Sequence, residues 1–389
     1  MNDSYILMHK DAPCAIIAID RDSGALTETE FVRKEYAPFL GNADLRLMKI
    51  WWEHRAVPGS RKEMEEIIRK AGCENSKEYL AKNLALSMTD TYWICPLDVS
   101  LSWEDVNLYR RSEPESGQIT WHNASSYDPN ASLGGEMDKY WDISGEEPVL
   151  VKRAYRNYGQ QSINEAFATE LHMRQKGSIP FAVYDVRPSD DNAMLSSCKA
   201  FTTEDIEFVS AYEVLNSGKR KASRSDFEQY IDACEEHGID RKTMQDFMDY
   251  LILSDFAISN TDEHLQNFGV LRDVGSMKLI GPAPIFDSGN SMFFNIMKAT
   301  PMNRKELLSQ EINSFHQQEE KMLKHVNNRT VLDSTLLPSA DEVIDFYAKH
   351  GMPDERAAFI AGSYKNKIDL LLDFQKGKSI SLYKEKQNR

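Results

Sequence analysis

The side chains that could act together chemically are concentrated between residues 259 and 289. Ser259-Asn-Thr-Asp-Glu-His-Leu-Gln-Asn-Phe-Gly269 gathers polar groups where an apolar helical stretch has just ended. Ile285-Phe-Asp-Ser-Gly289 follows after a turn and a short apolar strand. Asp262 and Asn267 stand five residues apart, a spacing that in a catalytic loop lets a carboxylate face an attacking hydroxyl while an amide oxygen binds a metal. Asp287 would close that metal site from the end of the neighbouring strand. Mg²⁺ suits such a set, because it takes few carboxylates and keeps phosphate and water as its other ligands. Alone, the Asp262/His264/Asn267 loop also reads as an Asx-rich turn that caps helices; Asp287 is what points it toward phosphoryl transfer.

Asn260-x-Asp262-x-His264-x-x-Asn267 with Asp287-x-Gly289 downstream resembles the catalytic and metal motifs of the HipA-like serine/threonine kinases, whose fold is distantly shared with phosphoinositide kinases. Upstream, Ser132-Leu-Gly-Gly-Glu-Met-Asp-Lys139 is similar to that family's phosphate loop. Val149-Leu-Val-Lys152 is similar to its lysine-bearing strand, and Asn164-Glu165 to the opening of the helix that carries the lysine-pairing glutamate. These motifs occur in the kinase order over roughly 160 residues. Separately each is weak: a double glycine is usually a turn, a lysine after a strand is usually a solvated strand end, and a glutamate near a helix start complements the helix dipole.

The resemblance implies ATP and Mg²⁺ as ligands and transfer of the γ-phosphoryl group to a Ser/Thr hydroxyl of a protein. Ser132, Gly134, Gly135 and Lys139 would then lie against the nucleotide, the glycines admitting backbone N–H groups to phosphate oxygens. Lys152 would neutralise the α/β-phosphates and Glu165 would hold its ammonium. Asp262 would accept the acceptor's proton, Asn267 and Asp287 would hold the metal, and His264 would brace the loop beside the nucleotide. Ser132 matches the position at which toxin members modify their own phosphate loop, where added dianionic charge would displace ATP phosphates. An antitoxin partner, frequently a small DNA-binding protein, is also implied. The chain departs from ordinary protein kinases in reading Asn-Thr-Asp for His-Arg-Asp and in placing Ser288, not Phe, after Asp287. Two other functions would use the same residues: a pseudokinase that binds nucleotide as a switch, and a kinase of lipids or small molecules.

The elements that must position these residues divide into three. The expected fold is α+β: a bilobal, protein-kinase-like arrangement with a small α/β N-lobe (121–205) and a helical C-lobe (206–389), preceded by a mixed α/β accessory unit (1–120). All six tryptophans lie between Trp51 and Trp141, which gives the first third the aromatic bulk for a core of its own. There, Tyr5 to Met8 and Ala15 to Ile19 read as strands, and Ser60 to Glu63 reads as a capping box for a helix that Gly72 stops. A polar, turn-rich stretch from Glu113 to Asn130 is the expected connector. Val149 to Lys152 and Phe181 to Tyr184 look β-like around a helix at Ile163 to Met173. Beyond 205 the apolar periodicity is helical, interrupted by a strand-like run from Leu279 to Phe286.

Composition narrows the partners. Across 389 residues, 46 Lys+Arg against 61 Asp+Glu leave a formal charge of −15, which repels phosphate backbones and disfavours direct nucleic-acid binding. The five cysteines are scattered without a C-x-x-C pair, so neither a structural zinc nor a disulfide framework is expected. The opening residues lack a signal-peptide pattern, and no run of about 18 apolar residues occurs. The expectation is a cytoplasmic protein with no membrane association.

Overall fold

A computed structural model describes residues 2–57, 64–110, 127–135 and 137–387. The expected capping box at Ser60–Glu63 and most of the connector, with the boundary near 120, lie outside the described residues. The fold is mixed α and β, with three antiparallel sheets and a large helical body.

The first sheet has the order β3-β2-β1-β4, from β1 (Asn2–His9), β2 (Ala12–Asp20), β3 (Leu26–Phe31) and β4 (Tyr92–Pro96). β1 and β2 pair as a hairpin with Ile6 opposite Ile16, and β1 also pairs with β4. The helix Leu45–Arg55, capped by Asp44 through the Leu47 N–H, packs its buried face on this sheet, and Trp51, Trp52 and Trp93 fill the space between. Five of the tryptophans, Trp51, Trp52, Trp93, Trp103 and Trp141, share this core, and Trp121 lies outside the described residues.

The second sheet has the order β5-β6-β8-β7, from β5 (Asp138–Asp142), β6 (Val149–Ala154), β7 (Asp185–Pro188) and β8 (Met194–Lys199). Lys139 sits on β5 directly opposite Lys152 on β6, so it belongs to a strand and not to the loop in which the motif placed it. The helix Gln160–Arg174 packs against this sheet and begins earlier than expected, so Glu165 lies in its second turn. Phe181 to Tyr184 is not a ladder strand. Phe181 makes one bridge to Ile285, the Ala182 N–H goes to the Ile285 carbonyl, and the Tyr184 N–H goes to Thr169 Oγ1, leaving the segment no continuous strand partner.

The third sheet, β11-β10-β9, was only partly foreseen: β9 (Ile206–Ser210), β10 (Gly269–Asp273) and β11 (Leu279–Pro282). The strand-like run at 279–286 thus ends at Pro282. Around it stand the helices. Ser225 and Glu228 form the expected capping box on Asp226–Glu236, a cap whose loss costs about 1 kcal/mol. Asp240 caps Arg241–Ile258, whose stripe of Met244, Phe247, Met248, Leu251 and Ile252 is buried. Asp354–Gln375 packs on it and Ala340–Lys349 packs on Asp354–Gln375, and together they form the largest core. No helix among the described residues is long and apolar enough to cross a membrane.

Candidate active site

A cleft of about 760 Å³ runs between the three sheets, lined by Ser132, Gly134, Gly135, Lys139, Lys152, Asp262, His264, Asn267 and Asp287, with Glu165 buried behind it. Its positive end is built by β6 and the helix Gln160–Arg174. Lys152 Nζ donates to Glu165 Oε1 and to Asp287 Oδ1, both at 2.5 Å. Lys152 and Glu165 side chains are 2% and 1% exposed, whereas Asp287 is 32% exposed, so the trio is sealed on one side and open to the cleft on the other. Burial works against the lysine's charge, but the Asp287 and Glu165 carboxylates outweigh it and hold the ammonium above the ordinary lysine range. Burial would likewise raise the Asp287 carboxyl, yet Lys152 and Lys139 hold it well below the usual carboxylate range. Glu165 is pushed up by burial, with Lys152 opposing, and its other oxygen accepts the Ser288 N–H at 2.9 Å.

Asp287 is held in a left-handed conformation, φ 63°, which an Asx residue tolerates at a cost of order 1 kcal/mol and which surrounding contacts must enforce. They do. Asn164, fully buried, donates to the carbonyls of Gly289 (2.8 Å) and Ser291 (2.7 Å) and accepts from the Tyr347 hydroxyl. Gln160 donates to the Met292 carbonyl. Gly289 lies close against the helix: a Cβ there would press on the Gln161 carbonyl at 3.3 Å and lie 3.5 Å from Glu165 Oε1.

Asp262 and Asn267 are joined through the loop itself: the Asn267 amide donates to the Asp262 carbonyl at 2.8 Å, which leaves the amide oxygen as its acceptor end. Asp262 Oδ2 accepts from Asn290 Nδ2 at 2.8 Å, and Asn290 Oδ1 accepts from Gln161 Nε2 at 2.9 Å. Gln161 and Asn290 therefore orient the carboxylate, a role that motif reasoning missed although Asn290 directly follows Asp287-Ser-Gly289. Beneath the loop, Asn260 Nδ2 donates to both Asp255 (3.1 Å) and Glu263 (2.9 Å). Burial pushes the Asp255 carboxyl up to about 8 and that of Glu263 well above the usual range, so the loop rests on two carboxyls whose charged form burial disfavours. His264 lines the cleft and accepts the Gln266 N–H on Nδ1 at 3.3 Å, a bracing contact within the loop.

Ser132, Gly134 and Gly135 line the same cleft. Gly135 has φ 87°, and a Cβ there would come within 2.7 Å of Lys139 Nζ, so the lysine folds back over the glycine turn. Among the described residues no three His, Cys, Asp or Glu side chains gather at metal-binding distance. A divalent ion held here would rest on the Asp287 carboxylate and the Asn267 amide oxygen, and that sparse oxygen set fits Mg²⁺ completed by phosphate and water.

Residues 131–347 match the HipA-like C-terminal domain. The chain belongs to the HipA-like family. Family membership supports a kinase-type function. Among solved structures, the chain is similar to the crystal structure of a Helicobacter pylori proinflammatory kinase, CtkA, at 17% identity and a TM-score of 0.47, over 62% of this chain and 96% of that one. No curated protein matches the chain.

Proposed function

We propose that this HipA-like protein is an ATP- and Mg²⁺-dependent kinase that transfers the γ-phosphoryl group to a Ser or Thr hydroxyl of a protein. In this reading the sheet β5–β8 with the helix Gln160–Arg174 is the small lobe, the helical body is the large lobe, and residues 1–120 are an accessory unit. The observation that carries it is the convergence of Lys152, Glu165 and Asp287, from three separate elements, beside a loop that carries Asp262 and Asn267 in one cleft. Lys152, kept protonated by its two carboxylates, neutralises phosphate oxygens. Lys139, directly opposite on β5, adds a second positive charge beside the Gly134-Gly135 turn. Asp287 and Asn267 would hold the metal, which would supply neutralising charge to the β/γ-phosphates.

Asp262 takes the acceptor's proton. One of its oxygens is fixed by Asn290, so the other is presented in a set direction, and positioning of this kind lowers the barrier without further reorganisation. The proton passes from the acceptor hydroxyl to Asp262 as the hydroxyl oxygen bonds to the γ-phosphorus and the bond to the β-phosphate oxygen breaks. Ser132, in the cleft beside the glycine turn, is the self-modification candidate of the same reading. Transfer from γ-labelled ATP tests the proposal: label should appear on protein with the wild-type chain and fall by roughly 10³-fold with Asp262→Asn, while nucleotide binding persists. Wild-type turnover by Asp262→Asn would remove the assigned base. Nucleotide binding without any transfer would instead favour a switch, and a labelled small-molecule product would favour a different acceptor.

A further inference from the structure

Charged and aromatic side chains both line the cleft. One end carries Lys139, Lys152 and Arg156, the cations that phosphates would meet. The other end is shared between the N-terminal unit, through Trp51, His54 and Asp90, and the core, through Tyr212 and Glu213. It is tied directly to the catalytic loop: the Tyr212 N–H donates to the Leu265 carbonyl at 2.7 Å, and His54 Nδ1 lies 2.7 Å from Gln266 Nε2. The His54 and Tyr212 rings meet edge to face at 5.3 Å.

At this end the nearby positive charge is already committed. Arg55 grips Asp90 with both terminal nitrogens at 2.7 Å and also donates to the carbonyls of Ala85 and Tyr92. Arg272 donates to Glu207 at 2.7 Å and to the Tyr92 hydroxyl at 2.9 Å. Glu213, in the first turn of the helix Ala211–Asn216, makes no side-chain hydrogen bond or ion pair among the described residues. Glu213 thus lines the cleft without a direct ion pair, Arg55 and Arg272 being hydrogen-bonded to other carboxylates, and an aromatic ring beside a carboxylate suits a cation.

We infer that this end of the cleft is an acceptor subsite that takes a lysine or arginine side chain near the acceptor hydroxyl of a protein substrate, with Glu213 as its counter-charge and Trp51 and Tyr212 as walls. The inference rests on the kinase reading and adds the charge of the substrate. It also gives the N-terminal unit a function, since half of the subsite belongs to it. The net charge of −15 favours approach of a basic partner in the same direction.

Direct binding decides it without catalysis. Fluorescently labelled serine peptides, identical but for a lysine, norleucine or glutamate flanking the serine, are titrated with the full chain, and ATP affinity is measured in parallel. The lysine peptide should bind about tenfold tighter than the norleucine peptide, the ratio that a partly desolvated charge pair supplies. Glu213→Gln should abolish that ratio, and Glu213→Lys should transfer the preference to the glutamate peptide, with ATP affinity equal in all three proteins. Equal binding of the peptides to the wild-type chain would overturn the inference. So would a loss of ATP affinity in Glu213→Gln, which would put the carboxylate on the nucleotide. Transfer of label that shows no charge preference would sink the subsite and leave the kinase; a charge preference without transfer would do the reverse.

Discussion

Two buried charge networks in this molecule are built from similar parts and differ in one respect. At the junction of the N-terminal unit and the core, Glu207 on β9 accepts from Arg272 on β10, from His9 on β1 and from the N–H and hydroxyl of Thr91, and its side chain is 0% exposed beside an arginine at 2%. In the cleft, Lys152 joins Glu165 and Asp287, but Asp287 keeps a third of its surface open. In the closed network both Glu207 oxygens are taken up within the protein, and Arg272 holds Glu207 well below the usual carboxylate range in spite of burial. It fixes one unit on another. The open network leaves a carboxylate edge and an ammonium that can exchange partners, and that is the condition for chemistry. Removing a member of a buried network costs stability wherever it leaves an uncompensated charge, so the two should separate by what fails first.

The largest expected effect is at the open network. Asp287→Asn should lower phosphoryl transfer by roughly 10³-fold, because charge stabilisation by one positioned group is commonly worth that much, and should make nucleotide binding indifferent to Mg²⁺. Its melting temperature should move less than that of a closed-network variant, since Lys152 keeps Glu165. Turnover of labelled ATP and thermal melts on the same preparations check both parts. A variant that unfolds while the residual native fraction turns over normally would reverse the roles assigned to the two networks.

Next is Arg272→Met, which keeps bulk and removes the charge that Glu207 requires. It should destabilise by about 3–5 kcal/mol, the range for breaking a buried pair, read as a lower denaturation midpoint, while nucleotide binding below the transition is retained. Restoring the midpoint with Glu207→Gln in the same chain would show that the stranded carboxylate, and not the lost packing, was responsible.

Smaller again is Asn290→Ala. It leaves Asp262 in place but takes away the amide that fixes one of its oxygens. A fall of roughly 10–100-fold in kcat with an unchanged KM for ATP is expected for a group that positions the base without touching nucleotide. A rise in KM alone would mean that Asn290 serves the nucleotide directly.

The same contrast explains what the sequence disclosed. The open network was legible because its members fall in local motifs: Asp262, His264 and Asn267 within one loop, Asp287 and Gly289 within one turn, Lys152 on an apolar strand. The closed network hid two strands. In β9 the residues facing inward are Glu207 and Val209, and in β10 Arg272 points inward, so a charge stands where alternation calls for an apolar side chain. That breaks the period-two pattern, and Ile206–Ser210 reads as the approach to a helix. The ion pair that makes the inward charges tolerable joins residues 65 apart, beyond any window of local pattern. Asn290, Gln161 and the Glu213 chamber were missed for the same reason: their meaning lies in contacts such as Gln161 with Asn290, 129 residues away.

Glu213 belongs to neither network, and that sets the smallest prediction. Burial, only partly offset by Arg272 and Arg55 and reinforced by Asp90 and Glu207, pushes its carboxyl up to about 7. A folded-state pKa above the unfolded value means that the native chain binds the extra proton between about pH 4.5 and 7. Stability from this group is therefore fully present below the lower value and is lost as pH rises through the higher one. Glu213→Gln, which keeps the neutral shape at every pH, should match the wild type at pH 4 and melt a few degrees higher at pH 8, since about 1 kcal/mol moves a chain of this size by roughly 2–4 °C or less. Adding the lysine peptide at pH 8 should raise the wild-type melting temperature and leave the variant where it was, because the ligand supplies the counter-charge that the fold withholds. If the two proteins melt together at pH 8, the Glu213 carboxylate already has a partner in solution, and the chamber is a third closed network.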